Sequence, residues 1–294
     1  MRGFVTVGAD MIWGRDASTF GHPLCHSLSI VHVHICARFL FPFLFVCALL
    51  SGRRFSDYVD MMFLPFILLA ATTSCFAVPH TLQKRAAPLG IDISHFQGAV
   101  NFNIAKANGI SFVYIKATEG TTFIDPQFST NYIAATNAGL IRGAYHFAHP
   151  DSSSGATQAN YFLAHGGGWS SDGITLPGAL DIEYNPNGAE CYGLSASAMV
   201  SWIRDFSNTY HSATEAFPVI YTTTDWWTTC TGNSAAFGST NPLWIARYAS
   251  SIGTLPAAWS FTTFWQYADS GPNPGDQDQF NGDITGLQRI ARGS

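Results

Sequence analysis

From residue 89 onward the chain alternates between short apolar runs and longer amphipathic stretches. The runs 89–94, 111–118, 140–147, 176–183 and 217–222 are rich in Ile, Val, Phe, Tyr and Leu and are bounded by Gly, Pro or Asn, the pattern of strands. Between them, helical stretches are predicted at 101–108, 125–139 and 153–165. They close on Gly109, Gly139 and the run Gly166-Gly167-Gly168, since glycine takes the left-handed conformation that ends a helix. Pro126 suits a first helical position. Ser195 opens a longer helix in which Met199, Trp202, Ile203 and Phe206 recur at three- and four-residue spacing on one apolar face. Beyond residue 222 the helix signals weaken. Residues 243–248 and 260–267 read as strands with irregular connections, and a short helix at 285–292 completes the chain.

Strand–helix units of about thirty residues predict an α/β fold with a largely parallel sheet. With no internal linker, residues 88–294 form one domain, expected to be an irregular (β/α) TIM-like barrel whose second half is less regular. A doubly wound open sheet is the competing architecture, and it normally carries a glycine-rich first turn. In a barrel the functional side chains sit at the C-terminal ends of the strands. Asp92, Tyr145, Asp181, Glu183, Tyr221 and Gln266 all fall near such ends.

Asp181 and Glu183 are the sharpest chemical feature. Two residues apart on a strand, they project to the same face, while Leu180 and Ile182 turn the other way into packing. Paired carboxyls at a strand end are the minimal equipment for glycoside hydrolysis, one as acid and one as stabiliser or nucleophile. Two solvated strand-end charges are the plain alternative.

The first part of the chain differs in kind. Residues 29–50 are apolar but broken by His32, His34 and Arg38, short of the ~20 residues that span a bilayer. Residues 61–71 form a compact apolar block followed by Cys75-Phe76-Ala77, small residues at the −3 and −1 positions of a signal-peptidase site. Lys84-Arg85 then makes a dibasic processing site. The expected organisation is a signal peptide at 61–77, a short pro-segment at 78–87 and the mature domain from 88. Translation is expected to start at Met61 or Met62, with 1–60 an over-extended reading frame; an anchor helix within 29–50 is the alternative.

Composition sharpens this. Four of the six cysteines precede residue 80, leaving Cys191 and Cys230 as an even pair in an oxidising compartment, and hence a disulfide. From residue 86 onward fifteen acidic side chains stand against seven basic ones, a net of −8. An acidic domain without a Lys/Arg cluster argues against nucleic acid or an anionic membrane as partner. No phosphate loop, dinucleotide fingerprint or close-spaced zinc pattern is present, and no cofactor is expected. His95, His146 and His149 lack ligand spacing and are expected to be structural, with no metal site.

Five motifs occur in a fixed order: Gly90-Ile91-Asp92-Ile93-Ser94, Gly143-Ala144-Tyr145-His146-Phe147, Ala179-Leu180-Asp181-Ile182-Glu183, Leu243-Trp244-Ile245-Ala246-Arg247-Tyr248 and Phe264-Trp265-Gln266-Tyr267. In this order they resemble the Chalaropsis-type lysozymes of glycoside hydrolase family 25, most closely the secreted fungal members, over residues 88–294. The resemblance implies a monomeric extracellular muramidase that cleaves the β-1,4 bond between N-acetylmuramic acid and N-acetylglucosamine in bacterial peptidoglycan. It implies Glu183 as proton donor and Asp181 as the partner carboxylate, either supporting the substrate acetamido group or attacking directly. Asp92 matches the acid at the end of the first strand. Asp276, four residues before Phe280, best fits a further family aspartate, with Asp278 the alternative.

Sugar rings present apolar faces that aromatic side chains cover. Tyr145, Tyr221, Trp244 and Tyr248 are the candidates for this, whereas Trp226, Trp227 and Trp265 are expected to pack. Gln266 is expected either to bind an N-acetyl group or to close the barrel. A chitinase-like barrel would carry acids where Leu176 and Ala179 stand, which disfavours it. A non-catalytic glycan-binding barrel would be expected to have lost one carboxylate of the pair.

Overall fold

The computed structural model describes residues 86–293; the readings of residues 1–85 lie outside the described residues. Nine strands form one sheet: β1 (Leu89–Ile93), β2 (Ile110–Glu119), β3 (Phe123–Ile124), β4 (Ile141–Phe147), β5 (Ala179–Asp181), β6 (Val219–Thr222), β7 (Leu243–Ala246), β8 (Phe264–Ala268) and β9 (Asp276–Phe280). Eight of them close into a barrel in the order β1-β2-β4-β5-β6-β7-β8-β9 and back to β1, with β3 appended to β2 as a hairpin. Around the barrel pairing is parallel from β1 through β8, while β9 runs antiparallel to its neighbours β8 and β1, as the appended β3 does to β2. The expected irregular α/β barrel is therefore present.

Six α-helices accompany the strands: α1 (Phe102–Ala107), α2 (Phe128–Asn137), α3 (Gly155–Phe162), α4 (Ala196–Thr214), α5 (Thr224–Thr231) and α6 (Ile284–Arg292). Most begin on a side chain that captures an otherwise unpaired backbone N–H. Asn101, Ser154, Ser195, Thr223 and Asp283 accept such bonds at the starts of α1, α3, α4, α5 and α6. The predicted apolar stripe of α4 is buried at Met199, Trp202, Ile203 and Phe206.

Strand alternation sorts the core into two layers. Val113 and Ile115 of β2, Leu180 of β5, Ile220 of β6 and Ile245 of β7 join the shell that contains the helices. Phe112, Tyr114, Ala179, Val219, Tyr221, Trp244, Phe264 and Phe280 form a separate cluster, together with Leu287 and Ala291 of α6. This second cluster is the barrel lumen, filled largely by rings, with Tyr114 stacked on Trp244 at 4.8 Å between centroids. Gly90 and Gly143 make room for it, since a Cβ at either would collide with the ring of Phe112 or Tyr114.

Three local expectations are corrected. The fourth strand pairs only over Ala179–Asp181, so Glu183 lies two residues beyond it, although Ile182 N still donates to Tyr221 O at 3.0 Å and keeps the chain on course. Helix α5 forms where only irregular connection was expected. The stretch 276–280 is a strand where no strand was expected. Its Asp-Gln-Asp-Gln-Phe sequence hides the alternation because the lumen-facing positions are polar near the mouth and apolar only at Phe280.

Cys191 and Cys230 are joined in a disulfide that ties the segment before α4 to α5, with Cα atoms 5.2 Å apart. Among the described residues no helix is long and apolar enough to cross a membrane.

Candidate active site

The parallel strands of the barrel end at one mouth and the antiparallel β9 begins there, which brings the predicted acids together. A cavity of about 200 Å³ there is lined by Asp92, Asp181, Glu183 and Asp276, with Tyr145, Tyr221, Trp244 and Gln266 among its walls. A larger depression of about 510 Å³ lies beside Pro177, Phe217 and Pro242, which precede the strands β5, β6 and β7, so it sits at the opposite end of the barrel. Chemistry and volume thus part company, and the carboxyl-lined mouth is the functional candidate.

Asp181 is almost fully buried, and its Oδ1 has no hydrogen-bond partner among the described residues. Burial first, and then the neighbouring Glu183 charge, push its pKa well above the carboxylate range, while the Lys116 ammonium acts the other way. Glu183 is raised to about 7 by burial and by the charge of Asp276, again opposed by Lys116. No hydrogen bond among the described residues contributes to that shift, so the Glu183 carboxyl remains free to meet a ligand oxygen.

Asp92 is raised to about 7 by burial and by Asp276, and hydrogen bonds from Gln266 and Asp278 moderate the rise. Asp276 is raised by burial and by Asp269. Asp278, which does not line the cavity, is completely buried one turn of the pleat deeper on β9.

Gln266 is the hub of the site. Its Nε2 donates to Asp92 Oδ2 at 2.7 Å and to Asp276 Oδ2 at 3.1 Å. Its Oε1 accepts from Tyr221 OH and from Tyr248 OH, both at 2.9 Å. All four hydrogen-bonding positions of the amide are thereby engaged within the protein. Of the two expectations for Gln266, the architecture corresponds to the one that closes the barrel.

The aromatic candidates divide. Tyr145 and Tyr221 line the cavity, and burial holds both hydroxyls well above the usual tyrosine range. Trp244 forms part of the floor but is only 2% exposed, and its Nε1 donates to Asp278 Oδ1 at 2.8 Å. Tyr248 is 53% exposed and reaches the site through Gln266. Trp226 and Trp227 are fully buried packing residues, and Trp265 donates from Nε1 to Arg247 O at 2.9 Å.

Four residues of the mouth escaped the sequence reading: Ser94, Phe96, Lys116 and Phe147. Lys116 is a buried lysine on β2 whose Nζ meets Glu119 Oε2 at 2.6 Å and lies 4.9 Å from the Phe147 ring centre. Glu119 in turn is held at about 2 by its hydrogen bond to His149, reinforced by Lys116. A lysine within an otherwise apolar strand was the available signal. Phe96, 82% exposed, stands on the rim. It follows Ser94, which forms a reciprocal capping box with Gln97, while His95 N donates to Asp125 Oδ2 at 2.8 Å. The turn is thus fixed and holds an aromatic ring out in water.

The histidines are engaged structurally. His95 meets Asp125, His146 lies between Thr118 and Gln158, and His149 meets Glu119. Burial lowers His146 to about 4. Among the described residues no group of three or more His, Cys, Asp or Glu side chains is arranged to hold a metal ion.

Comparison with known proteins agrees with this geometry. The family model "Glycosyl hydrolases family 25" matches residues 91–276. An N,O-diacetylmuramidase of Arthroderma benhamiae is 52% identical over 226 residues, covering 76% of this chain and 96% of the relative. The N,O-diacetylmuramidase of a Chalaropsis species is also 52% identical, over 69% of this chain and 99% of its own length. Among solved structures, a muramidase from Acremonium alcalophilum is 65% identical with a TM-score of 0.70, covering 70% of this chain and all of the other. A family GH25 lysozyme from Aspergillus fumigatus is 56% identical with a TM-score of 0.69, over 70% of this chain and 99% of its own. With its acids gathered at one barrel mouth and its family match running from the first strand to the ninth, the chain belongs to glycosyl hydrolase family 25.

Proposed function

We propose that this chain is a muramidase that hydrolyses the β-1,4 bond between N-acetylmuramic acid and N-acetylglucosamine in bacterial peptidoglycan. Glu183 is the general acid and base, and Asp181 is its partner. The observation that carries the reading is the pairing of a raised, unbonded Glu183 carboxyl with a buried Asp181 whose Oδ1 lacks a donor. A buried acceptor without a partner is costly, and a substrate amide N–H satisfies it. The 2-acetamido group of the muramic acid ring brings such an N–H.

The steps follow from that placement. Glu183, protonated below about pH 7, gives its proton to the glycosidic oxygen as the C1–O bond breaks. The acetamido carbonyl oxygen attacks C1, and Asp181 accepts the N–H and balances the positive charge that develops on the resulting ring. Glu183, now ionised, takes a proton from water, and the water oxygen opens the ring at C1 with net retention. Lys116 tempers the acid cluster, since its charge favours the ionised forms of both Asp181 and Glu183. Asp92 and Asp276, tied together through Gln266, shape the floor.

The precursor is read as a signal peptide at 61–77, a pro-segment at 78–87 and the catalytic domain from 88, so the mature enzyme acts outside the cell. The disulfide supports an oxidising destination. The test is product analysis on purified peptidoglycan and on chitin. New reducing ends that are muramic acid support the proposal; release from chitin with none from peptidoglycan overturns it.

A further inference from the structure

The reaction as drawn assigns no task to Asp278, yet it is the most deeply buried acid of the site. On the antiparallel β1–β9 ladder Asp92 faces Asp276 and Gly90 faces Asp278, so Asp278 enters the lumen beneath Asp92 where residue 90 has no side chain. Its Oδ1 accepts from Trp244 Nε1 at 2.8 Å. Its Oδ2 is buried and has no donor among the described residues. The ladder places it close enough to Asp92 for the two side chains to share a hydrogen bond. Two carboxyl groups make such a bond only with a proton between them, because ionised carboxyls accept and do not donate. Asp278 is the more deeply buried of the two, 0% exposed against 9% for Asp92, so the neutral, donating form falls to Asp278.

We propose that Asp278 is a neutral carboxylic acid that donates a hydrogen bond to Asp92 and, with the Gln266 amide, fixes that carboxylate in the floor of the site. It is a positioning residue that acts through Asp92, and in its activity arm this rests on the muramidase reading above. An ionised Asp278 would leave two anions in contact inside the barrel, with Oδ2 unsatisfied. The electrostatics run the same way. Burial, then the Asp92 charge, hold the Asp278 pKa well above the carboxylate range, and the bond it donates pulls Asp92 downward. The other titratable groups facing Asp278 are Asp276, Tyr114 and Tyr267, none of which supplies positive charge.

An asparagine can take over this role, accepting from Trp244 through its carbonyl and donating to Asp92 through its amide; a leucine can do neither. Infrared difference spectra of wild type and Asp278→Asn, taken above the value near 7 at which Asp92 and Glu183 titrate, read the proton directly. The carbonyl stretch of one protonated carboxylic acid is expected in wild type and lost in Asp278→Asn. That variant is expected to retain wall lysis within about threefold, whereas Asp278→Leu loses roughly tenfold or more, as removal of a hydrogen bond to a charged group does. No difference band, or an Asp278→Asn variant as inactive as Asp92→Leu, overturns the proposal. The infrared measurement needs no substrate, so release of reducing ends from chitin with none from peptidoglycan would remove the muramidase reading and leave this result standing.

Discussion

Gln266 Nε2 donates to Asp92 Oδ2 at 2.7 Å, joining the eighth strand to the first across 174 positions of sequence. That bond closes the barrel at the level of its chemistry, because the same amide holds Asp276, Tyr221 and Tyr248. Gln266→Leu keeps much of the volume and removes all four bonds. Loss of hydrogen bonds to charged groups costs about 1.5–3 kcal/mol each, so kcat is expected to fall by one to two orders of magnitude or more. Steady-state rates on peptidoglycan check this, and an unchanged kcat would show that the hub does not support the reaction.

The raised acids predict the pH profile. As the proposed acid, Glu183 must carry its proton to act; its pKa is raised to about 7, so kcat is expected to fall as pH rises through that value. Stability follows the same sign. Asp92 and Glu183 hold protons when folded that the unfolded chain releases near pH 4, so the folded state is favoured below that range and loses this contribution as pH rises through about 7. Thermal unfolding between those limits is expected to give a midpoint that declines with pH, and less steeply in Glu183→Gln.

Much of this site is legible from residues alone, for definable reasons. Asp181 and Glu183 are readable because period-two alternation puts them on one face and Leu180 and Ile182 on the other, and the strand ending one residue after Leu180 does not change that. Asp92 is readable from its place at the end of a short apolar strand. The strand β9 is not, because its lumen positions near the mouth are acidic and the usual apolar alternation survives only at Phe280. Nor is the role of Gln266, whose partners lie on four other segments and meet only when the barrel closes. Trp244 looked like a sugar platform by position, but Asp278 below it captures its N–H and keeps it in the floor.

Phe96 is expected to bind and not to stabilise. Its ring is 82% exposed on a turn fixed by Ser94, Gln97 and Asp125, so little core packing depends on it. Stacking of a ring face is worth about 0.5–1.5 kcal/mol beyond area burial. Phe96→Ala is therefore expected to raise KM on cell walls several-fold with kcat and Tm nearly unchanged, and Phe96→Trp to restore it. A fall in Tm with KM unaffected would assign the ring to structure instead.

The Cys191–Cys230 disulfide closes a loop with a sequence separation of 39. Chain entropy puts its contribution at about 4 kcal/mol, and in a domain of this size that corresponds to a Tm loss on the order of 10 °C. Cys191→Ser with Cys230→Ser, measured by calorimetry beside the reduced wild type, checks it; a shift of a degree or two would mean that the α4–α5 packing holds the segment without the bond.

In the proposed reaction Glu183 supplies the proton that breaks the glycosidic bond. Clearing of a Gram-positive cell-wall suspension by the mature domain and by Glu183→Gln, each with wall binding measured by co-sedimentation, tests it most directly. Lysis by Glu183→Gln is expected to fall at least 10²-fold, the lower range of general acid catalysis, with binding retained. Lysis by Glu183→Gln at the wild-type rate would contradict it.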